Sequence, residues 1–271
     1  MAEIQRVNLR IDDDIAYICI DTPGEKVNTL SAALIEEMEG VLDQLKQKHG
    51  LQGAVVHSGK DDFIVGFDIR EFSEYADDPD KMRAVARRGH DLMRRFGELG
   101  FPFVAAIAGN CLGGGLEVAL ACQGRVASDS KRTKLGFPEV QLGLFPGGGG
   151  TQRLPRLIDL QLALDMILTA KTLDAKRAEK VGLVDDVVHP GILLDVAAQC
   201  ARKLFAAQGK KTNGHMFGDL LHDPMKMVAH TPARALVFNK AREMVTKETG
   251  GHYPAPIAAI DCVENGQWGG A

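Results

Sequence analysis

Two glycine-rich loops constrain this chain more than any other feature: Cys111-Leu112-Gly113-Gly114-Gly115-Leu116-Glu117 and Pro146-Gly147-Gly148-Gly149-Gly150-Thr151-Gln152-Arg153. The first follows an apolar, strand-like run from Phe103 to Ile107 and opens into the apolar stretch Leu116 to Cys122. Glycines at such a strand-to-helix junction leave backbone NH groups bare, and the NH groups of a helix start attract an oxyanion. The second loop repeats the device after Gly136-Phe137-Pro138-Glu139. Each loop therefore carries one glutamate, Glu117 or Glu139, close to bare donors. Two carboxylates converging on one cleft can divide acid and base duties.

Around these loops, strand-like and helical runs alternate, the pattern of an α/β layered fold. Val7 to Ile11 and Ile15 to Ile20 read as a hairpin turning at Asp12-Asp13-Asp14. Ser31 is placed to cap a helix reaching about Lys48, because Leu34, Met38, Val41, Leu42 and Leu45 recur at helical spacing. Strands are expected at Gly53 to Ser58, Arg125 to Ser128 and Leu183 to Val188, and helices at Pro79 to Glu98, Thr151 to Leu157, Leu160 to Thr169 and Asp174 to Val181. Beyond Gly191 the character turns helical, with helices at Leu193 to Leu204 and Arg234 to Thr246 about a flexible break at Lys210-Lys211-Thr212-Asn213-Gly214. We set a soft boundary at 192: a core over residues 1–192 and a helical region over 193–271. The strand, strand, helix recurrence suggests a superhelical repeat, without visible self-similarity in sequence.

Several function classes are disfavoured. The net charge of -4 lacks the basic excess of a nucleic-acid binder. Five widely spaced cysteines form no zinc-type cluster and read as reduced thiols. The N-terminal Met1-Ala2-Glu3-Ile4-Gln5-Arg6 is too polar for a signal peptide, and no apolar run spans a bilayer, so a cytoplasmic protein with no membrane span is expected. Neither glycine loop fits the dinucleotide spacing GxGxxG: Val118 and Gln152 stand where the third glycine belongs. No GxSxG nucleophile elbow occurs.

Taken singly, the residues leave alternatives open. Glu117 reads equally as a helix-start charge and as a functional carboxylate, although its apolar neighbours predict burial. Glu139, held by Pro138, reads as an aimed side chain or as an ordinary loop glutamate. Asp68 suits a helix cap at least as well as a catalytic role. The eight histidines are scattered, and Arg83, Arg87, Arg88, Arg94 and Arg95 make a solvated helical face.

Taken together, the motifs resemble the crotonase (enoyl-CoA hydratase/isomerase) superfamily. The resemblance rests on Ile107-Ala108-Gly109-Asn110 through Glu117, on Phe137-Pro138-Glu139-Val140-Gln141-Leu142-Gly143, and on Pro146 through Leu154, and it extends over essentially the whole chain. Pro23-Gly24-Glu25-Lys26-Val27-Asn28-Thr29-Leu30 and Gly251-His252-Tyr253-Pro254-Ala255-Pro256 are similar to markers of the hydratase module that opens the multifunctional fatty-acid oxidation α subunits.

The resemblance implies a crotonase spiral of ββα repeats with a helical C-terminal region, and an acyl-CoA thioester as substrate. It implies that the NH groups of Phe67 and Gly114 form an oxyanion hole, that Glu117 activates water for attack at Cβ, that Glu139 protonates Cα, and that the Gly147 NH helps anchor the water. Relatives similar to Δ3,Δ2-isomerases rely on the carboxylate at the position of Glu139 alone, so Glu117 favours hydration, with isomerisation as a side activity. Hydrolysis of the thioester and a non-catalytic CoA-binding assembly role are the alternatives. No metal or redox cofactor is implied, CoA entering only as part of the substrate. The partners implied are copies of this chain in a homotrimer or, in a full-length protein, a thiolase subunit. Such relatives continue into a dehydrogenase, so the 193–271 region is expected to stop short of that module. Phe67 departs from the small residue usual at its position, and its bulk predicts a preference for short or medium acyl chains.

Overall fold

A computed structural model describes residues 5–75, 78–208 and 233–266; the expected break at Lys210 to Gly214 lies outside them. Strands β1 (Val7–Asp12) and β2 (Ile15–Ile20) form the expected antiparallel hairpin, with Val7 opposite Ile20 and Asp12 opposite Ile15. Asp13 turns it with φ 51°, a left-handed conformation that aspartate tolerates better than most residues. Four further strands then add in parallel: β3 (Gly53–Ser58), β4 (Phe103–Ile107), β6 (Gly124–Ser128) and β9 (Asp186–Val188). The sheet order is β1-β2-β3-β4-β6-β9.

A second, three-stranded sheet runs β5 (Asn110–Leu112), β7 (Lys134–Gly136), β8 (Thr172–Asp174). The two sheets are threaded by one repeated path. β4 joins the large sheet, β5 the small one, and helix α4 (Gly114–Ala121) follows; β6 and β7 repeat this before a 3-10 turn over Glu139–Leu142. An earlier pass is incomplete: β3 joins the large sheet, Val65 makes a lone parallel bridge to Leu112, and helix α2 (Ile69–Tyr75) follows. This is the expected spiral of ββα units. The three strands of the small sheet and the 3-10 turn were not read from sequence, because they are too short to show periodicity.

The remaining helices are α1 (Ala32–Lys46), α3 (Pro79–Arg95), α5 (Gly150–Leu157), α6 (Leu160–Thr169), α7 (Ala175–Lys180), α8 (Leu193–Gln208), α9 (Ala233–Thr249) and α10 (Pro254–Asn265). Ser31 caps α1 as expected, its hydroxyl accepting from the Leu34 NH at 3.1 Å. Several boundaries differ from the sequence reading: α8 and α9 run on to Gln208 and Thr249, past the expected Leu204 and Thr246. α3 ends at Arg95, where Gly97 and Glu98 fold into tighter turns by donating to the carbonyls of Arg94 and Arg95. Leu183 and Val184 donate to Ala178 and so finish the turn after α7 instead of starting β9.

Strands β4 and β6 are buried at every residue, as parallel strands covered on both faces must be. On one face, α8 lays Leu193, Ala197, Ala198 and Ala201 against Ile15, Val55, Val104, Ala106 and Val126. The other face joins the main core, where Phe63, Phe96, Phe103 and Phe137 are among the fully buried side chains. Two of the five expected basic residues on α3 are not simply solvated: Arg88 grips Glu39 and Arg95 reaches Asp43, tying α3 to α1. α4 is held at its far end by buried Arg125, which donates to the carbonyls of Cys122 at 2.8 Å and Leu183 at 2.9 Å. A cation there suits the negative end of the helix.

Candidate active site

The segment after β3 runs between Asn28–Leu30 on one side and β5 on the other. Gly66 accepts from the Leu30 NH at 2.9 Å, and Leu30 accepts from the Asp68 NH at 2.9 Å. In a trans peptide the NH points opposite to the preceding carbonyl, so the Phe67 NH faces away from Leu30, toward β5 and the start of α4. Gly114 meets it there: a Cβ on Gly114 would lie 3.8 Å from the Gly66 carbonyl carbon. The Gly114 NH likewise points out of its helix, because the Gly113 carbonyl is turned inward to accept from Glu117 at 3.1 Å. Among the described residues neither NH donates to a protein acceptor. Gly113 makes this junction with φ 53° and ψ -127°, a conformation other residues rarely adopt. Asp68 accepts from the Arg70 NH at 2.9 Å and caps α2, the structural role its position allowed.

Glu117 stands in the first turn of α4 and is only 4% exposed. Its Oε1 accepts from the Gly150 NH at 2.7 Å, at the very start of α5. The carboxylate thus fills the anion position of a second helix N-terminus. Burial pushes its pKa above the ordinary value, opposed by the NH groups of Gly150 and Gly148 and by the charges of Arg153 and His90. Arg153 is well placed for this, donating to the Gly148 carbonyl at 2.9 Å. Gly148 is indispensable in a steric sense as well, since a Cβ there would meet Glu117 Oε2 at 2.6 Å.

Glu139 opens the 3-10 turn after β7 and lies against Gly113, whose Cβ position is 3.0 Å from Glu139 Oε1. Its Oε2 is sealed from solvent and has no hydrogen-bond partner among the described residues. Burial, and then the charge of Glu117, raise its pKa to about 8. The two carboxyls therefore titrate as a pair, yet they are not equivalent. Glu117 accepts from the NH groups of two other residues, Gly148 and Gly150, whereas Glu139 has only its own NH and an unpartnered Oε2, so the shared proton belongs on Glu139.

Both glutamates open into a cavity of about 570 Å³ together with Phe67, Gly114 and Gly147. Its walls are apolar: Leu30, Val65, Met82, Val85, Leu92 and Met93 contribute, with Ile69 and Leu142 at 61% and 60% exposure on its rim. Phe67 is only one part of one wall and packs against the main core. All five residues singled out from sequence thus share one cavity. The sequence reading missed how the second glycine loop works. The Gly147 carbonyl takes a hydrogen bond from His90 at 2.5 Å, while the NH groups that reach Glu117 belong to Gly148 and Gly150. The run of four glycines ahead of a helix was the available signal, but spacing alone does not say which NH faces the carboxylate. His90, on α3, was passed over as one of eight scattered histidines.

Among the described residues no helix is long and apolar enough to cross a membrane. Comparison with known proteins agrees with the geometry. The family model described as enoyl-CoA hydratase/isomerase matches residues 10–247. The chain is 48% identical, over 95% of its length, to a fatty acid oxidation complex subunit alpha of Shewanella amazonensis, and 46% identical, over 98% of its length, to one of Vibrio vulnificus. It spans 35% and 37% of those two proteins, about a third of each. Among solved structures it is similar to an enoyl-CoA hydratase from Geobacillus kaustophilus, with TM-score 0.71 and 26% identity over 90% of each chain. An enoyl-CoA hydratase from Bacillus anthracis matches with TM-score 0.68 and 28% identity, over 90% of this chain and 97% of that one. The chain belongs to the enoyl-CoA hydratase/isomerase family.

Proposed function

We propose that the chain is an enoyl-CoA hydratase that adds water across the 2,3 double bond of 2-enoyl-CoA thioesters in fatty-acid β-oxidation. The observation that carries this reading is the unequal pair of carboxyls in one apolar cavity beside two unengaged NH groups. The thioester carbonyl accepts from the Phe67 and Gly114 NH groups, which stabilise negative charge as the enolate develops; a donor of this kind is worth about 2.7 to 4 kcal/mol. Glu117, held by NH bonds in its ionised form, takes a proton from water as the oxygen bonds to Cβ. The electron pair of the double bond moves toward the carbonyl, and Glu139, protonated near neutrality, delivers its proton to Cα. Passing the proton from Glu117 back to Glu139 resets the pair. These steps are an addition and proton transfers, so none calls for a metal or a redox cofactor.

A second reading is supported by Glu139 itself. With Oε2 unpartnered and a pKa of about 8, it can also carry a proton between Cα and Cγ, which is Δ3,Δ2-isomerisation. We further propose that residues 1–192 form the spiral core and 193–271 the helical region of a hydratase module like that of the α-subunit relatives. Assembly as a homotrimer, or beside a thiolase subunit in a longer protein, follows from that likeness. The five free cysteines support a cytoplasmic setting.

The test is incubation with 2-enoyl-CoA and 3-enoyl-CoA, products being identified by mass and chirality. A 3-hydroxyacyl-CoA of one hand is expected from the 2-enoyl substrate. Glu117→Gln should cut hydration by about 10² to 10⁴ while leaving the fold intact. Thioester hydrolysis, CoA binding without turnover, or near-wild-type turnover of the variant would each overturn the assignment.

A further inference from the structure

The segment Gly251 to Pro256 stands out in sequence, and its place in the fold gives it a task. Tyr253 is the N-cap residue of α10, and its half-buried hydroxyl donates to the carbonyl of Val140. Val140 is the residue after Glu139, in the middle of the 3-10 turn. Apart from the bond between the Glu139 carboxyl and its own NH, this is the only hydrogen bond found among the described residues from a side chain to residues 138–144. The ring also lies over the end of the turn, its hydroxyl 3.7 Å from the Cβ position of Gly143.

The turn closes on itself through Gln141 donating to Pro138 at 3.0 Å, Leu144 to Glu139 at 3.1 Å and, more loosely, Gly143 to Val140 at 3.3 Å, and Tyr253 adds a bond from outside it. The Glu139 carboxyl is tethered only to its own NH, and Oε2 is unpartnered. Its aim is therefore set by the backbone that carries it. Tyr253, by contrast, stands on a firm support. α10 buries Ala255, Pro256, Ala259, Ile260 and Val263, and it is stitched to α5 where Gln152 donates to the Cys262 carbonyl at 2.7 Å and Arg156 to the Gly266 carbonyl at 2.6 Å. α5 is the helix whose first NH holds Glu117. One helix thus braces both the turn that carries Glu139 and the helix whose NH holds Glu117.

We propose that Tyr253 is a positioning residue that holds the Glu139 turn in register with Glu117 and the Phe67–Gly114 donor pair. The proposal rests on the hydratase reading above and adds a residue outside the cavity to it. Removing the hydroxyl lets the turn shift. A displacement on the order of 1 Å costs as much as about 10²-fold in rate. The same shift admits water to the Glu139 carboxyl, relieving the desolvation that holds its proton.

The test compares Tyr253→Phe with Glu139→Gln and wild type, using one 2-enoyl-CoA substrate across pH and a thermal melt of each protein. For Tyr253→Phe we expect kcat to fall by about 10- to 100-fold with KM and melting temperature near wild type, and the alkaline limb of the kcat profile to move to lower pH. Wild-type kcat and pH profile in Tyr253→Phe, with Glu139→Gln inactive, would overturn the positioning role and leave the hydratase reading standing. Full activity in Glu139→Gln would instead remove the role of Glu139 on which both depend. A lower kcat with the alkaline limb unmoved, or failure of Tyr253→Phe to yield folded protein, would mark the hydroxyl as a general stabiliser and count against the proposal.

Discussion

Glu139→Gln should make the protein inactive and, above neutral pH, more stable. Folding takes this carboxyl from water into a site where its pKa is raised from 4.5 to about 8. A carboxyl whose folded pKa lies above its unfolded value binds its proton more tightly when folded, so stability is full below about pH 4.5 and falls as the pH rises toward 8. At 1.36 kcal/mol per pKa unit, the loss is under about 1 kcal/mol at pH 5 and about 4 kcal/mol at pH 8. Glutamine does not titrate. It carries a pH-independent cost for burying an amide where Oε2 had no partner, on the order of 1 to 3 kcal/mol, and this offset cancels between two pH values. The stability difference between variant and wild type should therefore shift in favour of the variant by about 3 kcal/mol from pH 5 to pH 8. Urea unfolding of both proteins at the two pH values reads it directly. Parallel behaviour of the two proteins would refute the reasoning, because it would mean that Glu139 ionises as readily in the fold as outside it.

Two further outcomes follow from the cavity. Gly148→Ala places a methyl group 2.6 Å from Glu117 Oε2 and 3.1 Å from Met93 Cε; hydration should drop by at least about 10²-fold with a folded circular dichroism spectrum, and steady-state rates near wild type would contradict the close approach. Phe67 is part of one wall of a cavity of about 570 Å³; kcat/KM for a medium-chain 2-enoyl-CoA of roughly ten carbons should match or exceed that for the four-carbon substrate, and a steep fall with length would show that the ring closes the passage.

Much of this was legible in sequence because the constraints are local. Glycines ahead of two helix starts mark the donors, Ser31 marks a third helix start, and the apolar spacing of Leu34 to Leu45 marks its buried face. What stayed hidden depends on tertiary contact. β5, β7 and β8 are each three residues long and are strands only because a partner lies alongside. Arg88 and Arg95 looked like solvent-facing charges until α1 brought Glu39 and Asp43 to them. The NH groups of Gly148 and Gly150 could not be singled out within a run of four glycines, since all four offer the same chemistry in the chain.

That last ambiguity bears on how two nearby carboxyls can have opposite tasks. Sequence makes Glu117 and Glu139 look alike, one glutamate beside each glycine loop. If both were hydrogen-bonded alike they would ionise alike, and the cavity would hold either two repelling charges or two idle acids. The fold breaks the symmetry by crossing the loops over: the donors of the second loop serve Glu117, the glutamate of the first. Glu139, which precedes that second loop, is left against Gly113 with its own oxygen unpartnered. The apolar walls then act on the pair unequally, since desolvation raises both carboxyls but Glu117 has two NH bonds from the second loop and nearby positive charge to oppose it, where Glu139 has only its own NH. On the proposed mechanism a base and an acid thus arise at one pH from two identical side chains, and the difference lies in which backbone NH groups each can reach.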